Sequence, residues 1–135
     1  MSTKNDRFII QGGNQLSGQI DVVGAKNAAL KALVAALLLD GESTIENVPQ
    51  IEDIDRLMDI IEDLGVGVER NGSTIKFVDP IIKKDEIAPH LHQKTRASIL
   101  LAVPILLQHG KVNFSYPGGC VIGNRPIDFF IEGYK

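Results

Sequence analysis

Along the first third of the chain, polar and apolar residues alternate in Gly18-Gln19-Ile20-Asp21-Val22-Val23 and again in Thr44-Ile45-Glu46-Asn47-Val48, the period of a half-buried strand. Phe8-Ile9-Ile10 is a further short strand candidate. Between the two alternating runs, Lys26 to Leu39 is mostly Ala and Leu, a composition of high helix propensity that is apolar on most faces. It predicts a helix covered by neighbours, ended by Gly41. After Pro49, the residues Ile54, Leu57, Met58, Ile61 and Leu64 recur at helical spacing, with Asp53 as the expected N-cap and Gly65 as the stop. Gly67-Val68-Glu69-Arg70 and Thr74-Ile75-Lys76-Phe77-Val78 flank Asn71-Gly72, a strong short hairpin signal.

A similar order starts again in the second half. Thr95 to Gln108 reads as an apolar helix with Pro104 inside it, where a missing backbone donor predicts a kink. Gly110 is the expected stop, and Lys111 to Tyr116 reads as a strand closed by Pro117. Pro126 suits the first position of a last helix whose apolar face is Ile127, Phe130, Ile131 and Tyr134. The pattern is that of an α+β fold made of repeated β-α-β-α-β-β units, a complete first unit over about 18–79 and an incomplete second one over about 80–135. The two units differ in one respect. Gly118-Gly119-Cys120-Val121-Ile122-Gly123-Asn124 is inserted between strand and helix in the second, and insertions on a repeated scaffold are where function gathers.

Composition narrows the classes. Of 135 residues, 44% are hydrophobic and 23% charged, a globular balance rather than a disordered one. The net charge of -3 arises from mixed signs, with no basic run longer than Lys83-Lys84, so a nucleic-acid partner is not expected. The polar start Ser2-Thr3-Lys4-Asn5-Asp6 lacks the apolar core of a signal peptide, and Lys31 breaks the longest apolar stretch. A cytoplasmic chain with no membrane partner is the expectation. His90 and His92 have no clustered further ligands, so neither a metal nor another cofactor is expected.

The lone Cys120 cannot form an internal disulfide. A free cysteine is more often a small buried hydrophobe than a nucleophile, but the surrounding glycines free this backbone, and Arg125 at a helix start favours a thiolate. Lys26-Asn27 stands where a helix begins behind Gly24, a corner at which a cation and unpaired helix N–H groups converge on an anion. Lys94-Thr95-Arg96-Ala97-Ser98 repeats that arrangement at the next apolar helix, and an arginine grips phosphate or carboxylate with two donors. Glu52-Asp53-Ile54-Asp55 reads as the acidic first turn of a helix, a structural feature.

Gly24-Ala25-Lys26-Asn27-Ala28-Ala29-Leu30 and Pro117-Gly118-Gly119-Cys120-Val121-Ile122-Gly123-Asn124-Arg125-Pro126-Ile127-Asp128 together resemble the UDP-N-acetylglucosamine enolpyruvyl transferases, as do Asn47-Val48-Pro49 and Thr95-Arg96-Ala97-Ser98. The sister 5-enolpyruvylshikimate-3-phosphate synthases share the repeated architecture but carry a Lys-Ser segment where this chain has Lys26-Asn27, and they lack the cysteine loop. The resemblance implies the inside-out barrel fold and transfer of an enolpyruvyl group from phosphoenolpyruvate to the sugar 3'-hydroxyl, the first committed step of peptidoglycan synthesis. It implies Cys120 as proton donor to the methylene carbon, on a loop that closes over the site, and as the thiol that fosfomycin alkylates. Lys26, Asn27 and Arg125 would meet phosphoenolpyruvate; Arg96, Arg125, Pro126, Ile127, Asp128 and Phe129 would meet UDP-N-acetylglucosamine. The chain departs from the resemblance at Gln93-Lys94-Thr95-Arg96, where the relatives commonly carry Lys-Thr-Met-Arg.

Two other readings stand beside this one: a non-catalytic, truncated or split module that binds nucleotide sugar or a partner chain, and, more remotely, a cysteine hydrolase drawing on His90, His92 or His109. On either transferase-derived reading, an uncovered helix face and sheet edge in the second unit predict a homo-oligomer or a covering partner chain. Sedimentation at high concentration should then show species larger than one chain, and a clean monomer counts against this.

Overall fold

The computed structural model describes residues 7–113, 115–118 and 126–134. Its elements are helix α1 (Lys26–Ala36), strand β1 (Ser43–Ile45), helix α2 (Glu52–Asp63), strands β2 (Gly67–Asn71) and β3 (Thr74–Asp79), a short helix α3 (Pro89–His92), a 3-10 helix over Arg96–Leu101, helix α4 (Ala102–His109) and a short helix α5 (Asp128–Gly133). The class is α+β. The three strands form one antiparallel sheet in the order β1-β3-β2, with Thr44 opposite Lys76 and Glu69 opposite Lys76 on the other side.

The core lies between this sheet and the helices. Strand β3 turns Ile75 and Phe77 inward, α1 contributes Leu30, Leu33, Val34 and Ala36, and α2 contributes Ile54, Leu57, Met58, Ile60 and Ile61. Both helices place these at the three-and-four spacing of one face, so tertiary burial reinforces their propensity. The core continues into the second half through Ile82, Ile87, Leu91, Leu101 and Ile105. Gln108 fastens that junction: its amide accepts from the Ile82 N–H at 2.8 Å and donates to the Leu37 carbonyl at 2.9 Å.

Several expectations shift in detail. Residues 18–23 form no strand; Ile20, Val22 and Val23 are exposed, as are Phe8, Ile9 and Ile10 in the other strand candidate. A strand is stable only with a neighbour to take its backbone hydrogen bonds, and alternation alone supplies none. Helix α2 starts before Asp53, its N-cap being the extended Ile51 without a side-chain bond, so Asp53 sits inside the first turn. Gly65, at φ +88, closes α2 as expected, with the Val66 N–H returning to the Ile61 carbonyl at 3.4 Å. The hairpin forms one residue later than the Asn71-Gly72 centre: Asn71 pairs with Thr74, and Gly72-Ser73 make the turn, Gly72 taking the left-handed conformation at φ +57.

The expected helix over Thr95 to Gln108 is divided into the 3-10 helix and α4. Pro104 explains the division, since it falls in the first turn of α4, where a backbone donor has no helical acceptor to lose. The expected strand from Lys111 to Tyr116 reduces, among the described residues, to a bridge between Asn113 and Glu86; Phe114 lies outside them. Pro126 precedes α5 by two positions instead of opening it, and Ile127 is the N-cap.

Gly24 is the point where the exposed leading segment meets the folded body. Its N–H donates to the Asn47 side-chain oxygen at 3.2 Å, and a Cβ there would lie 1.9 Å from the Asn47 carbonyl oxygen. Asn47 is itself held at φ +55, while the next N–H, that of Val48, bonds the hairpin-turn carbonyl of Ser73 at 2.8 Å. Neither backbone can yield without loosening the other. Gly24→Ala should therefore lower unfolding stability by about 1–3 kcal/mol, read as a drop in urea midpoint. Gly12→Ala, at a position with no atom within 4 Å, should leave the midpoint unchanged.

Candidate active-site cleft

Helix α1 begins in an unusual electrostatic state. Its N-cap, Ala25, offers no side chain to the first N–H groups, its first turn has no acid, and its first residue is a lysine. The unpaired N–H groups and the macrodipole already make that end positive, so Lys26 adds like charge to it. The compensation comes from α2. Asp53 Oδ2 lies 2.6 Å from Lys26 Nζ, so one carboxylate serves both the lysine and the acidic first turn of its own helix.

Around this pair is a cleft of about 600 Å³. One wall is Lys26, Asn27 and Leu30 of α1, another is Asp53 and Arg56 of α2, and a third is the Lys94-to-Ala97 segment with Arg96. Thr95 caps the 3-10 helix, its Oγ1 accepting from the Ala97 N–H at 3.2 Å, and the buried Ser98 hydroxyl donates to the Thr95 carbonyl at 2.7 Å. These two bonds fix the backbone from which the half-buried Arg96 projects. Five cationic residues, Lys26, Lys31, Arg56, Lys94 and Arg96, thus border one hollow with two apolar leucines, Leu30 and Leu100. That combination suits an anion attached to a less polar body. A second hollow of similar size begins beyond the far end of α1, lined by Leu37 to Gly41 and Val78 to Ile81 among others; its charged residues are Asp40 and Asp79, so it does not suit an anion.

Of the site residues expected from sequence, the structure brings Lys26, Asn27 and Arg96 together. Pro126, Asp128 and Phe129 are exposed, Ile127 is buried, and none of the four lines the cleft. Cys120 and Arg125 lie outside the described residues. The near base of their segment is placed, however: the Gly118 N–H donates to the His92 carbonyl at 3.2 Å, and a Cβ on Gly118 would stand 1.9 Å from the Gln93 carbonyl oxygen. Glycine at 118 is thus required by close approach to the segment that leads into Arg96. Sequence reasoning did not find Arg56, which looks like any solvated helix residue, and assigned Asp53 to helix capping alone. A lysine opening a helix that lacks any acid of its own was the available signal that a carboxylate from elsewhere could pair with it. Among the described residues, no group of three or more His, Cys, Asp or Glu is arranged to hold a metal, and no helix is long and apolar enough to cross a membrane.

Residues 10–135 match the family described as EPSP synthase (3-phosphoshikimate 1-carboxyvinyltransferase). The chain belongs to this family. Within the EPSP synthase family it is 42% identical over 97% of its length to UDP-N-acetylglucosamine 1-carboxyvinyltransferase 1 of Symbiobacterium thermophilum, and 44% identical over 96% of its length to the UDP-N-acetylglucosamine 1-carboxyvinyltransferase of Desulfatibacillum aliphaticivorans. It spans 31% of the length of each of these relatives. The fold matches that of the enolpyruvyl transferase NikO from Streptomyces tendae with a TM-score of 0.64 and 25% identity, over 73% of this chain and 23% of NikO. The enolpyruvyl transferase family expected from the sequence is thus the family found, and the chain matches part of the NikO fold.

His92 bears on the stability of this member of the EPSP synthase family. It is fully buried at the end of α3, and burial pushes its pKa below the ordinary 6.5, opposed by a backbone hydrogen bond with Ser115. The folded state therefore binds its proton less readily than the unfolded state does. Below pH 6.5 the unfolded chain takes up a proton that the folded chain refuses, so stability is full above that value and declines as pH falls beneath it. Asp85, held below its ordinary 3.8 chiefly by a hydrogen bond from Lys111, acts in a separate and more acidic window. The urea midpoint should fall between about pH 7.5 and about pH 5.5, and the fall should shrink in His92→Gln. An unchanged pH slope in that variant would assign the effect elsewhere.

Proposed function

We propose that the chain forms part of the ligand-binding and catalytic site of a UDP-N-acetylglucosamine 1-carboxyvinyltransferase. The observation that carries this reading is the convergence of Lys26, Asn27 and Arg96, from two different helical starts, on one cleft bordered by cations. The names of the relatives favour the nucleotide-sugar branch of the family, as do the cysteine segment and Lys26-Asn27.

On this reading Lys26, Asn27 and Arg125 hold the phosphate and carboxylate of phosphoenolpyruvate, where fixed positive charge stabilises the addition step. Arg96, with residues 125 to 129, engages UDP-N-acetylglucosamine. The sugar 3'-hydroxyl gives its proton to a carboxylate base and adds to C2 of phosphoenolpyruvate while the Cys120 thiol donates a proton to C3, giving a tetrahedral adduct and a thiolate. A base then removes a proton from C3 as the C2–O bond to phosphate breaks, which restores the double bond and releases inorganic phosphate. The enzyme so described acts in the cytoplasm at the start of peptidoglycan synthesis, and fosfomycin alkylates its Cys120. The second-unit helices are covered by a further chain segment, a partner chain or a second copy.

A second reading is a binding module without turnover, since the cleft's cations and leucines account for ligand binding by themselves. Among the described residues nothing favours the cysteine-hydrolase alternative. Phosphate release from phosphoenolpyruvate in the presence of UDP-N-acetylglucosamine separates the first two. Release that disappears in Cys120→Ser establishes transfer. A folded chain that binds UDP-N-acetylglucosamine, loses about tenfold in affinity in Arg96→Gln and releases no phosphate is the binding module. A folded chain that does neither rejects both readings.

A further inference from the structure

Residues 92–96 are a junction of backbone bonds. The His92 carbonyl receives the Gly118 N–H at 3.2 Å and the Ser98 hydroxyl at 3.4 Å, and the Thr95 carbonyl receives the same hydroxyl at 2.7 Å. Between them, the Lys94 carbonyl receives Arg56 Nη1 at 3.0 Å, from a helix 38 residues earlier in the chain. The other arm of that guanidinium, Nη2, is bonded to Glu52, one turn back on α2. Arg56 is thus gripped by its own helix and grips in turn the carbonyl two residues before Arg96.

We propose that Arg56 is the positioning residue of the cleft, a strap from α2 that sets where Arg96 stands relative to Lys26 and Asn27. The proposal rests on the cleft being an anion site, as argued above, and adds a residue that neither the sequence motifs nor the relatives' names point to. The mechanism follows from geometry. Lys26 is tied to α2 through Asp53 and the Lys94 carbonyl is tied to α2 through Arg56, so both cationic walls are referred to the first turns of one helix. The Gly118 contact means that the same strap steadies the base of the segment leading to Cys120. A guanidinium is needed for this because its two terminal nitrogens are held rigidly apart and donate in different directions, whereas an ammonium is a single point at the end of a flexible stem.

The test is amide hydrogen exchange together with titration by UDP-N-acetylglucosamine, on the 135-residue chain and its variants. In Arg56→Gln, exchange at Ala97 and Ser98 should speed up by about tenfold and binding should weaken by a similar factor, the usual scale for losing a charge-assisted bond. Exchange at Leu33 and Val34 inside α1 should hold, since a general loss of stability would move those amides too. Arg56→Lys should behave like Arg56→Gln, and neither should weaken binding further in an Arg96→Gln background, because the strap acts through Arg96. Unchanged exchange at Ala97 and Ser98 overturns the proposal. So does full rescue of binding by lysine, or a loss that adds to that of Arg96→Gln, since either would make Arg56 a direct charge on the ligand. Should the unaltered chain fail to bind the nucleotide sugar, the functional reading falls by itself, and the exchange result alone decides whether the strap exists.

Discussion

Helix α1 starts with positive charge that it cannot balance from its own sequence, and the arrangement of the cleft answers that constraint. The unpaired N–H groups of the first turn, the dipole and Lys26 all have the same sign. Asp53 supplies the opposing charge from α2, and to do so α2 must bring its own first turn alongside that of α1. The buried faces of the two helices agree with this placement, since Leu30, Leu33 and Val34 share one core with Ile54, Leu57 and Ile61. Packing and electrostatics therefore define the same helix pair. Lys26 is already engaged, so an anion at this corner would exchange one carboxylate for another negative group rather than fill an empty site.

The second half joins this pair through several polar ties. Near the cleft, Arg56 holds the Lys94 carbonyl; away from it, Gln108 ties α4 to the Leu37 carbonyl at the end of α1, and the Lys83 N–H and Lys84 ammonium reach the Leu64 carbonyl and Asp63 at the end of α2. Leu91, Leu101 and Ile105 add apolar contact. Apolar contact has little directional preference, whereas the polar ties fix direction. The cationic residues of the cleft come from both halves, so their spacing inherits whatever rigidity these ties provide.

Much of this was legible in the chain. The apolar period of α2, the glycine stops at Gly65 and Gly110 and the hairpin near Asn71-Gly72 are local signals, and local signals survive whatever the surroundings are. The corners at Lys26-Asn27 and Thr95-Arg96 were legible as helix starts, and the structure brings the two to one cleft. What failed was non-local. Residues 18–23 have the alternation of a strand, but a strand also needs an edge to pair with, which no period reports. Lys111 to Tyr116 keeps, among the described residues, only the Asn113 bridge to Glu86. Pro104 was placed at a kink when it marks a change of helix type, because the sequence does not show that α4 starts only at Ala102. Arg56 and Asp53 were missed as cleft residues since their partners, the Lys94 carbonyl and Lys26, are brought to them only by the fold.

The leading segment of the described chain is unlike the rest. Its apolar side chains are exposed, from 72% at Val23 to 96% at Phe8, and its residues up to Ala25 belong to no helix or strand. A backbone so accessible is where a protease cuts first. Yet between Arg7 and Lys26 there is no lysine or arginine, and Lys26 is already inside α1 and paired with Asp53. An enzyme that cleaves after basic residues thus finds only the Arg7–Phe8 bond at the very start of the most open part of the molecule, while one that cleaves after Phe8 or Leu16 trims it further and leaves the helices and sheet untouched.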